Sequence, residues 1–206
     1  MNVESVILEG QQVRLEPLGL DHLEDLCAVG LAPDLWKLIP TRVQNAEDMR
    51  AYVELALRER TAGVCLPFAT IAKSTGRAIG STRFMNIERQ HLRAEIGCTW
   101  IGAEWQRTRV NTEAKYLMLR HAFETWKCHR VELKTDSLNQ RSRDAILRIG
   151  AKEEGTFRNH MVVQEGRVRH TVYFSIIDSE WPSVKRSLEE KLSAKPGPAA
   201  RTAPPR

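Results

Sequence analysis

The sequence predicts a mixed α+β domain, in which a central, twisted and mostly antiparallel sheet carries helices on both faces. Segments of alternating apolar and polar residues predict half-buried strands, and segments with apolar residues at helical spacing predict helices. Three β-rich runs joined by turn residues predict an antiparallel meander. The predicted elements follow the order strand, two helices, three strands, helix, strand, helix, two strands. This order is typical of a sheet between two layers of helices.

The first strand and the first two helices are expected near the N-terminus. Residues 13–18, VRLEPL, alternate in polarity as a half-buried strand does. Asp21 is expected to cap the following helix, in which Leu23 and Leu26 recur at helical spacing. A second helix is expected over residues 45–60, which carry a broad apolar stripe.

The meander and the longest helix occupy the middle of the chain. Strands are expected at residues 67–72, 78–87 and 93–101. The longest helix is expected over residues 111–126, and its apolar residues are spread widely enough to predict burial on two sides. A further strand follows at residues 130–135.

A short helix and a hairpin complete the predicted fold. The helix is expected to stop at Gly150, since glycine commonly follows a helix C-terminus. Two strands at residues 156–163 and 167–177 are expected to pair around a turn. The basic residues of this hairpin could meet an acidic or peptide substrate, but such a surface is usually only solvated; they are Arg158, His160, Arg167, Arg169 and His170.

Length and composition indicate one domain with a short tail. The 206 residues suit a single domain over residues 1–193, followed by a Pro-, Ala- and Arg-rich tail at residues 194–206. The tail has no apolar periodicity, so we expect it to be disordered. No stretch approaches the ~20 apolar residues that a membrane span needs, and the N-terminus does not resemble a secretory signal.

Charge and cysteine usage narrow the function classes. The net charge is +5, of which +4 comes from residue 185 onward, so the nearly neutral body argues against a nucleic-acid-binding protein. The four cysteines are scattered and form no CxxC pair, which predicts reduced thiols in a cytoplasmic protein. The histidines lack metal-ligand spacing, so no metal site is predicted.

Four segments resemble a known enzyme superfamily. Residues 105–115, WQRTRVNTEAK, lie between a strand and the longest helix and resemble the acetyl-CoA pyrophosphate loop of GNAT acyltransferases. Residues 13–18, 139–151 and 166–182 resemble the RimJ/RimL-like branch, the ribosomal-protein N-terminal acetyltransferase-like group. The resemblance implies the GNAT fold and transfer of an acetyl group from acetyl-CoA to a primary amine, either a protein N-terminal α-amine or that of a small molecule, by direct attack in a ternary complex.

The resemblance also implies the coenzyme-binding residues. The loop residues are expected to hold the pyrophosphate, the backbone of Trp100 and Ile101 to bond the pantetheine arm, and the Asn139 amide to hold a pantetheine carbonyl. The alternative for Asn139 is a turn or helix cap. The loop residues are Gln106, Arg107, Thr108, Arg109, Val110, Asn111 and Thr112.

The loop departs from the family pattern Q/R-x-x-G-x-G/A, because Arg109 and Asn111 stand at the two small-residue positions. Glycine there allows a positive φ and close approach of backbone N–H groups to phosphate. Arginine loses that freedom but brings a cation that pairs with phosphate oxygens. Asn111 or Thr112 is expected to cap the helix, so the predicted site relies more on side chains.

Glu95 and Ser142 are the expected catalytic residues. Strict alternation places Glu95 on one face of its strand with Gly97 and Thr99, and Ile96, Cys98 and Trp100 on the other. The resemblance places this strand beside the thioester, which makes Glu95 the expected general base, working through a water. The alternative is a structural ion pair between Glu95 and Arg83.

The leaving thiol has a less obvious proton donor. Ile146 stands where many GNAT enzymes carry a tyrosine acid, and Ser142 stands where the ribosomal-protein branch carries a serine near the sulfur. The alternative for Ser142 is an ordinary residue of a first helical turn. Tyr173 either faces the cleft or belongs to the core. A non-catalytic acyl-CoA-binding protein is the alternative function, and the sequence leaves the acceptor amine and a homodimer open.

Overall fold

A computed structural model describes residues 1–194, which form one eight-stranded sheet with five α-helices. The strands are β1 (Leu8–Glu9), β2 (Val13–Pro17), β3 (Cys65–Ala72), β4 (Arg77–Glu88), β5 (Arg93–Ile101), β6 (Arg130–Asp136), β7 (Lys152–Val162) and β8 (Val168–Ile177). The helices are α1 (Leu23–Gly30), α2 (Ala46–Thr61), α3 (Val110–Arg120), α4 (Gln140–Arg148) and α5 (Trp181–Ser193). From residue 195 onward, the predicted tail lies outside the described residues.

The sheet is mostly antiparallel, as predicted. Its strand order is β1-β2-β3-β4-β5-β6-β8-β7, and the one parallel pair among the described strands is β5 with β6. Strands β3, β4 and β5 form the predicted meander. The mixed α+β fold class is therefore confirmed.

Two apolar cores cover opposite faces of the sheet, so helices lie on both faces as predicted. On the face that we call the α3 face, α3, α4 and α5 contribute Leu117, Ile146 and Leu188 to a large core. On the α2 face, α1 and α2 cover the N-terminal strands, and Trp36 and Trp100 pack there with their ring centroids 5.3 Å apart.

The residues at two helix starts differ from the prediction. Asp21 does not cap α1, because residues 20–22 first form a short 3₁₀ turn. The Gly19 N–H at its start donates to Nδ1 of His22 at 3.1 Å. Neither Asn111 nor Thr112 caps α3, since the helix already begins at Val110.

Two elements of the fold were not predicted from the sequence, and one predicted helix ends earlier than expected. The short strand β1 and the C-terminal helix α5 were not predicted. The predicted long helix is α-helical only to Arg120, and residues 121–125 continue it as a π-helical turn. The short helix α4 ends before Gly150, which has the expected positive φ of 95°.

Strict alternation along β5 is wrong after Gly97. Cys98 adopts a φ of 49°, and the pairing of β4 with β5 shifts between Ser81 and Arg83. This bulge changes which side chains face each core: Ile96 lies in the α3-face core and Trp100 in the α2-face core. The two residues were predicted to share a face, and the bulge explains why they do not.

Candidate functional site

Strands β5 and β6 separate after a short parallel segment. They pair only at Arg93–Arg130, Ala94–Val131 and Glu95–Glu132. Beyond these pairs, β5 continues to Ile101 and β6 to Asp136 without pairing to each other. The two strand edges therefore bound a split, and Glu95 lies at its apex.

The elements that follow β5 and β6 lie at the open end of this split. Residues 102–109 lead from β5 into α3, and residues 137–139 lead from β6 into α4. The Gln106 side chain joins the two sides: its Nε2 donates to the Ile101 carbonyl at 3.0 Å, and its Oε1 accepts from Arg141 of α4. Arg148 of α4 also donates to Thr112 Oγ1 of α3 at 3.5 Å.

The loop adopts a backbone that needs no glycine at residue 109. Arg109 has φ −76° and ψ −12°, which any residue adopts, whereas Arg107 carries a positive φ of 62°. Arginine therefore replaces the family's glycine at position 109 without backbone strain.

Several loop N–H groups are available to an anion. Thr108 Oγ1 accepts from the Val110 N–H at 3.3 Å. Among the described residues, the N–H groups of Arg107, Arg109 and Thr112 have no acceptor. Unpaired N–H groups at the start of a helix favour negative charge.

The two loop arginines differ in what they contact. The Arg109 guanidinium donates to the Leu192 carbonyl at 3.0 Å and to the Ala194 carbonyl, so it binds the C-terminal carbonyl groups of α5. The Arg107 side chain is exposed and forms no ion pair within residues 1–194. Arg107 is therefore the cation of this loop that remains available to a phosphate.

The start of α4 contains two of the predicted site residues. Asn139 caps α4, because its Oδ1 accepts from the Ser142 N–H at 3.0 Å. A helix cap was the alternative to pantetheine binding in the sequence-based prediction. Ser142 is half-buried in the first turn of α4. Ile146, one turn further, is buried in the α3-face core.

Glu95 is buried at the apex of the split. Its Oε2 accepts from Asn86 Nδ2 at 2.8 Å and lies 3.0 Å from Lys134 Nζ, whereas its Oε1 has no partner among the described residues. The predicted alternative, a pair with Arg83, is wrong. Arg83 instead pairs with Glu59 at 2.9 Å.

A cleft of about 410 Å³ lies beside Glu95 and is lined from five strands. Four of its side chains are carboxylates and two are guanidinium groups, so acidic groups outnumber basic ones in the lining: Glu88, Glu95, Glu132, Glu154, Arg93 and Arg130. Tyr173 also lines this cleft, and its ring centroid lies 5.7 Å from Lys134 Nζ. Of the two predicted positions for Tyr173, in the cleft or in the core, the structure shows the cleft.

The basic hairpin is only partly solvated. Arg169 is buried on β8, and Arg167 pairs with the buried carboxylate of Asp136 at 2.5 Å. These two arginines help to hold the hairpin against the end of β6. The expectation of a simply solvated surface is wrong for both, while Arg158, His160 and His170 are exposed.

Lys115 is a buried charged residue that the sequence analysis missed. Its Nζ donates to Thr99 Oγ1 at 2.5 Å and to Thr82 Oγ1 at 3.1 Å, and it has no carboxylate partner among the described residues. Desolvation lowers its pKa from 10.5 to about 7. Its position one turn before Leu119, on the apolar stripe of the longest helix, could have revealed its burial.

We expect the free energy of unfolding to rise with pH above neutrality because of Lys115. The unfolded chain keeps an ordinary lysine pKa and binds a proton that the folded chain has already lost. The gain is roughly 1 kcal/mol between pH 7 and 8. Urea unfolding of wild type and Lys115→Met at both pH values measures it, and an equal pH dependence of the two proteins would contradict the assignment.

Two further observations concern membrane-spanning helices and metal sites within residues 1–194. No helix there is both long and apolar enough to cross a membrane. No group of three or more histidine, cysteine, aspartate or glutamate side chains there is arranged to hold a metal ion. The four cysteines are free thiols, as predicted.

Comparison with known proteins gives a consistent family. The acetyltransferase (GNAT) domain family matches residues 12–152. A Bacillus subtilis protein whose name contains the words ribosomal N-acetyltransferase, YdaF, is 32% identical over 110 residues. That match covers 53% of this chain and 59% of YdaF, so this chain spans less than two thirds of that relative.

Solved structures resemble nearly the whole chain. A GCN5-related N-acetyltransferase from Brucella melitensis is 31% identical with a TM-score of 0.87, covering 97% of this chain and 91% of the other. Mycobacterium smegmatis RimJ, solved with CoA-disulfide, is 22% identical with a TM-score of 0.74, covers 87% and 88%, and shows the fold alone. The predicted resemblance to GNAT acetyltransferases is confirmed, and the chain belongs to the GNAT acetyltransferase family.

Proposed function

We propose that this protein is an acetyl-CoA-dependent N-acetyltransferase that acetylates a primary amine by direct attack in a ternary complex. The observation that carries the proposal is the split between β5 and β6, with a buried carboxylate at its apex and unpaired loop N–H groups at its open end. These features fit the two ends of acetyl-CoA. The thioester belongs beside the unpaired part of β5, between Glu95 and Trp100, and the pyrophosphate at the start of α3.

Coenzyme binding is assigned to the open end and the edge of β5. The backbone of Trp100 and Ile101 lies on the part of β5 that does not pair with β6, and it bonds the pantetheine arm. Loop N–H groups and Arg107 hold the pyrophosphate, because oriented backbone dipoles and a guanidinium both stabilise phosphate charge. Asn139 shapes the start of α4, and its amide nitrogen remains available to a pantetheine carbonyl.

The acceptor amine is assigned to the cleft beside Glu95. The excess of carboxylates over guanidinium groups in its lining attracts a cationic amine. The amine must be neutral to attack, and Glu95 accepts its proton through a water. An α-amine, with an ordinary pKa of ~7.7–8.0, needs less help than a lysine side chain at ~10.4. We therefore assign the acceptor to the α-amine of a peptide N-terminus, and the word ribosomal in the name of YdaF favours a protein acceptor.

A thiol-release assay against a panel of amines tests this function. Titration calorimetry first establishes acetyl-CoA binding. The panel then compares a peptide with a free N-terminus, the same peptide with a blocked N-terminus and one lysine, and a polyamine. Release of CoA only with the free N-terminus is the expected result. Release with none of them, despite tight acetyl-CoA binding, would favour the non-catalytic alternative.

That alternative has one observation in its favour. Ile146, which is buried in the core, occupies the place of the usual acid, and its aliphatic side chain has no proton to donate. A protein that binds acyl-CoA without transferring the acyl group would tolerate this loss. The amine panel separates the two functions, because both predict binding and only one predicts release of CoA.

Arg107→Glu is expected to raise the dissociation constant for acetyl-CoA by more than tenfold. The change replaces the available cation of the loop with an anion that repels phosphate. Calorimetry at low and high salt measures the effect, which should shrink as salt screens it. Arg186→Glu is the matched control. Arg186 is also an exposed arginine, but it lies on α5, so this variant should bind acetyl-CoA with the wild-type dissociation constant. Equal affinities of both variants would remove Arg107 from the site.

A further inference from the structure

Lys115 is buried without an acidic partner, and this arrangement calls for an explanation. The side chain leaves α3 and ends between β4 and β5, where it bonds the hydroxyl groups of Thr82 and Thr99. Met118 also lies there, with its sulfur 3.6 Å from Thr82 Oγ1. Among the described residues, the thiol of Cys98 on β5 is the titratable group that interacts with this amine, and burial raises the pKa of that thiol, so it is neutral near pH 7. A buried ammonium without a carboxylate is costly, so lysine is an expensive choice for a purely structural contact.

Thr99 connects this amine to the split. It follows the bulge at Cys98 and lies beyond the last residue of β5 that pairs with β6. Thr99 is half-buried, whereas Thr82 on β4 is fully buried. The two hydroxyl oxygens are 2.8 Å apart. Lys115 is therefore hydrogen-bonded to a residue, Thr99, on the part of β5 that borders the split.

We propose that Lys115 and Thr99 form a proton relay that protonates the departing CoA thiolate, an inference that rests on the proposed acetyl transfer. As the carbon–sulfur bond breaks, sulfur takes the bonding electron pair and receives the Thr99 hydroxyl proton. Lys115 passes an ammonium proton to the Thr99 oxygen and later regains one from solvent. The proton lost by the acceptor amine leaves through Glu95. The sum is amine plus acetyl-CoA giving amide plus CoA thiol.

The chemistry of the two groups suits this transfer. At neutral pH an amine with a pKa of about 7 is present in both protonation states, so it can donate a proton and recover one in each cycle. A thiol has an ordinary pKa of ~8.5, so proton transfer from this amine to the thiolate is downhill. The relay also supplies the acid that Ile146 does not.

The experiment measures kcat between pH 6 and 9 for wild type, Lys115→Met, Thr99→Val and the double variant, with the amine that wild type acetylates best. We expect each single variant to lose roughly 100-fold in kcat at pH 7, at the low end of the 10²–10⁴-fold that acid–base catalysis typically contributes. The double variant should be no slower than either single variant, because both interrupt one path. Wild type should lose kcat above pH 7 as Lys115 deprotonates, and Lys115→Met should lack this decline.

Two further variants distinguish a relay from a structural contact. Thr99→Ser keeps the hydroxyl and should restore most of the rate lost in Thr99→Val. Thr82→Val removes the other hydroxyl bonded to Lys115 and should lower the melting temperature while keeping the decline in kcat above pH 7. Calorimetry should give acetyl-CoA dissociation constants within threefold of wild type for all variants. If Lys115→Met does not fold, the valine and serine variants of Thr99 still decide.

Each failure has its own signature. The relay is wrong if Lys115→Met or Thr99→Val turns over at the wild-type rate, if their losses multiply in the double variant, or if serine at position 99 rescues nothing. If wild type releases no CoA with any amine, the proposed function itself fails, and the relay fails with it. Active wild type with equally active relay variants overturns the relay alone.

Discussion

Glu95→Gln is expected to lower kcat by about 10²–10⁴-fold at neutral pH, the usual contribution of a general base. Glutamine has nearly the same shape and can still accept the bond from Asn86, which lies 2.8 Å from the carboxylate in the native protein. It cannot accept a proton from the attacking amine. Turnover should therefore fall while the dissociation constant for acetyl-CoA stays near the wild-type value. Raising the pH should narrow the gap between Glu95→Gln and wild type at the same pH, because more of the acceptor amine is then neutral and needs no base.

Glu132→Gln is the matched control for this experiment. Glu132 pairs directly across from Glu95 on β6 and lines the same cleft, but Arg93 and Arg130 bind its two carboxylate oxygens at 3.3 and 2.8 Å. Its loss weakens an ion-pair network without removing the proposed base. We expect a change in kcat of less than about threefold, since partly exposed pairs contribute ~1 kcal/mol or less.

A structural role for Glu95 would give a different pattern. The carboxylate is buried and lies 3.0 Å from Lys134, and breaking such a pair can destabilise the fold strongly. A variant that melts much earlier yet turns over at the wild-type rate would make Glu95 structural. Solvent alone would then accept the proton, which would favour an α-amine acceptor over lysine.

Most of the fold could be predicted from the sequence, because most of its helices and strands follow from the pattern of apolar, polar and turn residues within short segments. The meander of β3, β4 and β5 was predictable from turn residues and β-rich runs, and α2 from its apolar stripe. The short strand β1 was not, because two residues carry no periodicity and their pairing with β2 is a tertiary contact. Three residues separate helix α5 from β8, and only the first two residues of α5 lie in the segment 166–182 that resembles the family.

The site was less predictable, because its key features arise from pairing register and burial. The bulge at Cys98 decides where Thr99 and Trp100 point, and its one signal in the sequence is the isolated Gly97 beside it, which the assumption of strict alternation overlooked. The sequence identified Glu95 but not its partner Lys134, which comes from a neighbouring strand. Resemblance placed the loop residues correctly near α3, but it could not show that the Arg109 guanidinium binds the end of α5.

A second long-range contact shows the same limit and gives the largest expected effect on stability. The buried carboxylate of Glu113, on α3, accepts three backbone N–H groups, those of Gln11, Gln12 and Val13, at 2.8, 2.7 and 2.8 Å. These donors lie in the turn between β1 and β2 and at the first residue of β2, about a hundred residues earlier in the chain. Gly10 permits this approach, since a Cβ there would lie 2.7 Å from the Glu113 side chain.

Glu113→Gln is therefore expected to lower the free energy of unfolding by about 3–5 kcal/mol. Hydrogen bonds to a charged group contribute ~1.5–3 kcal/mol each, and an unpaired buried donor costs as much again. The amide keeps one acceptor oxygen but turns an NH₂ group toward N–H donors that need an acceptor. The melting temperature should fall by roughly 8–15 °C for a chain of this size.

Glu189→Gln is the control for this prediction. Glu189 on α5 is half-buried and accepts one bond, from Tyr116 at 2.8 Å. The loss of this bond should lower the free energy of unfolding by ~1 kcal/mol or less. If both variants melt within 2 °C of wild type, the β1–β2 turn does not depend on the Glu113 carboxylate. A large loss for Glu113→Gln alone would mean that α3 anchors the N-terminal edge of the sheet in addition to its proposed role in holding the pyrophosphate.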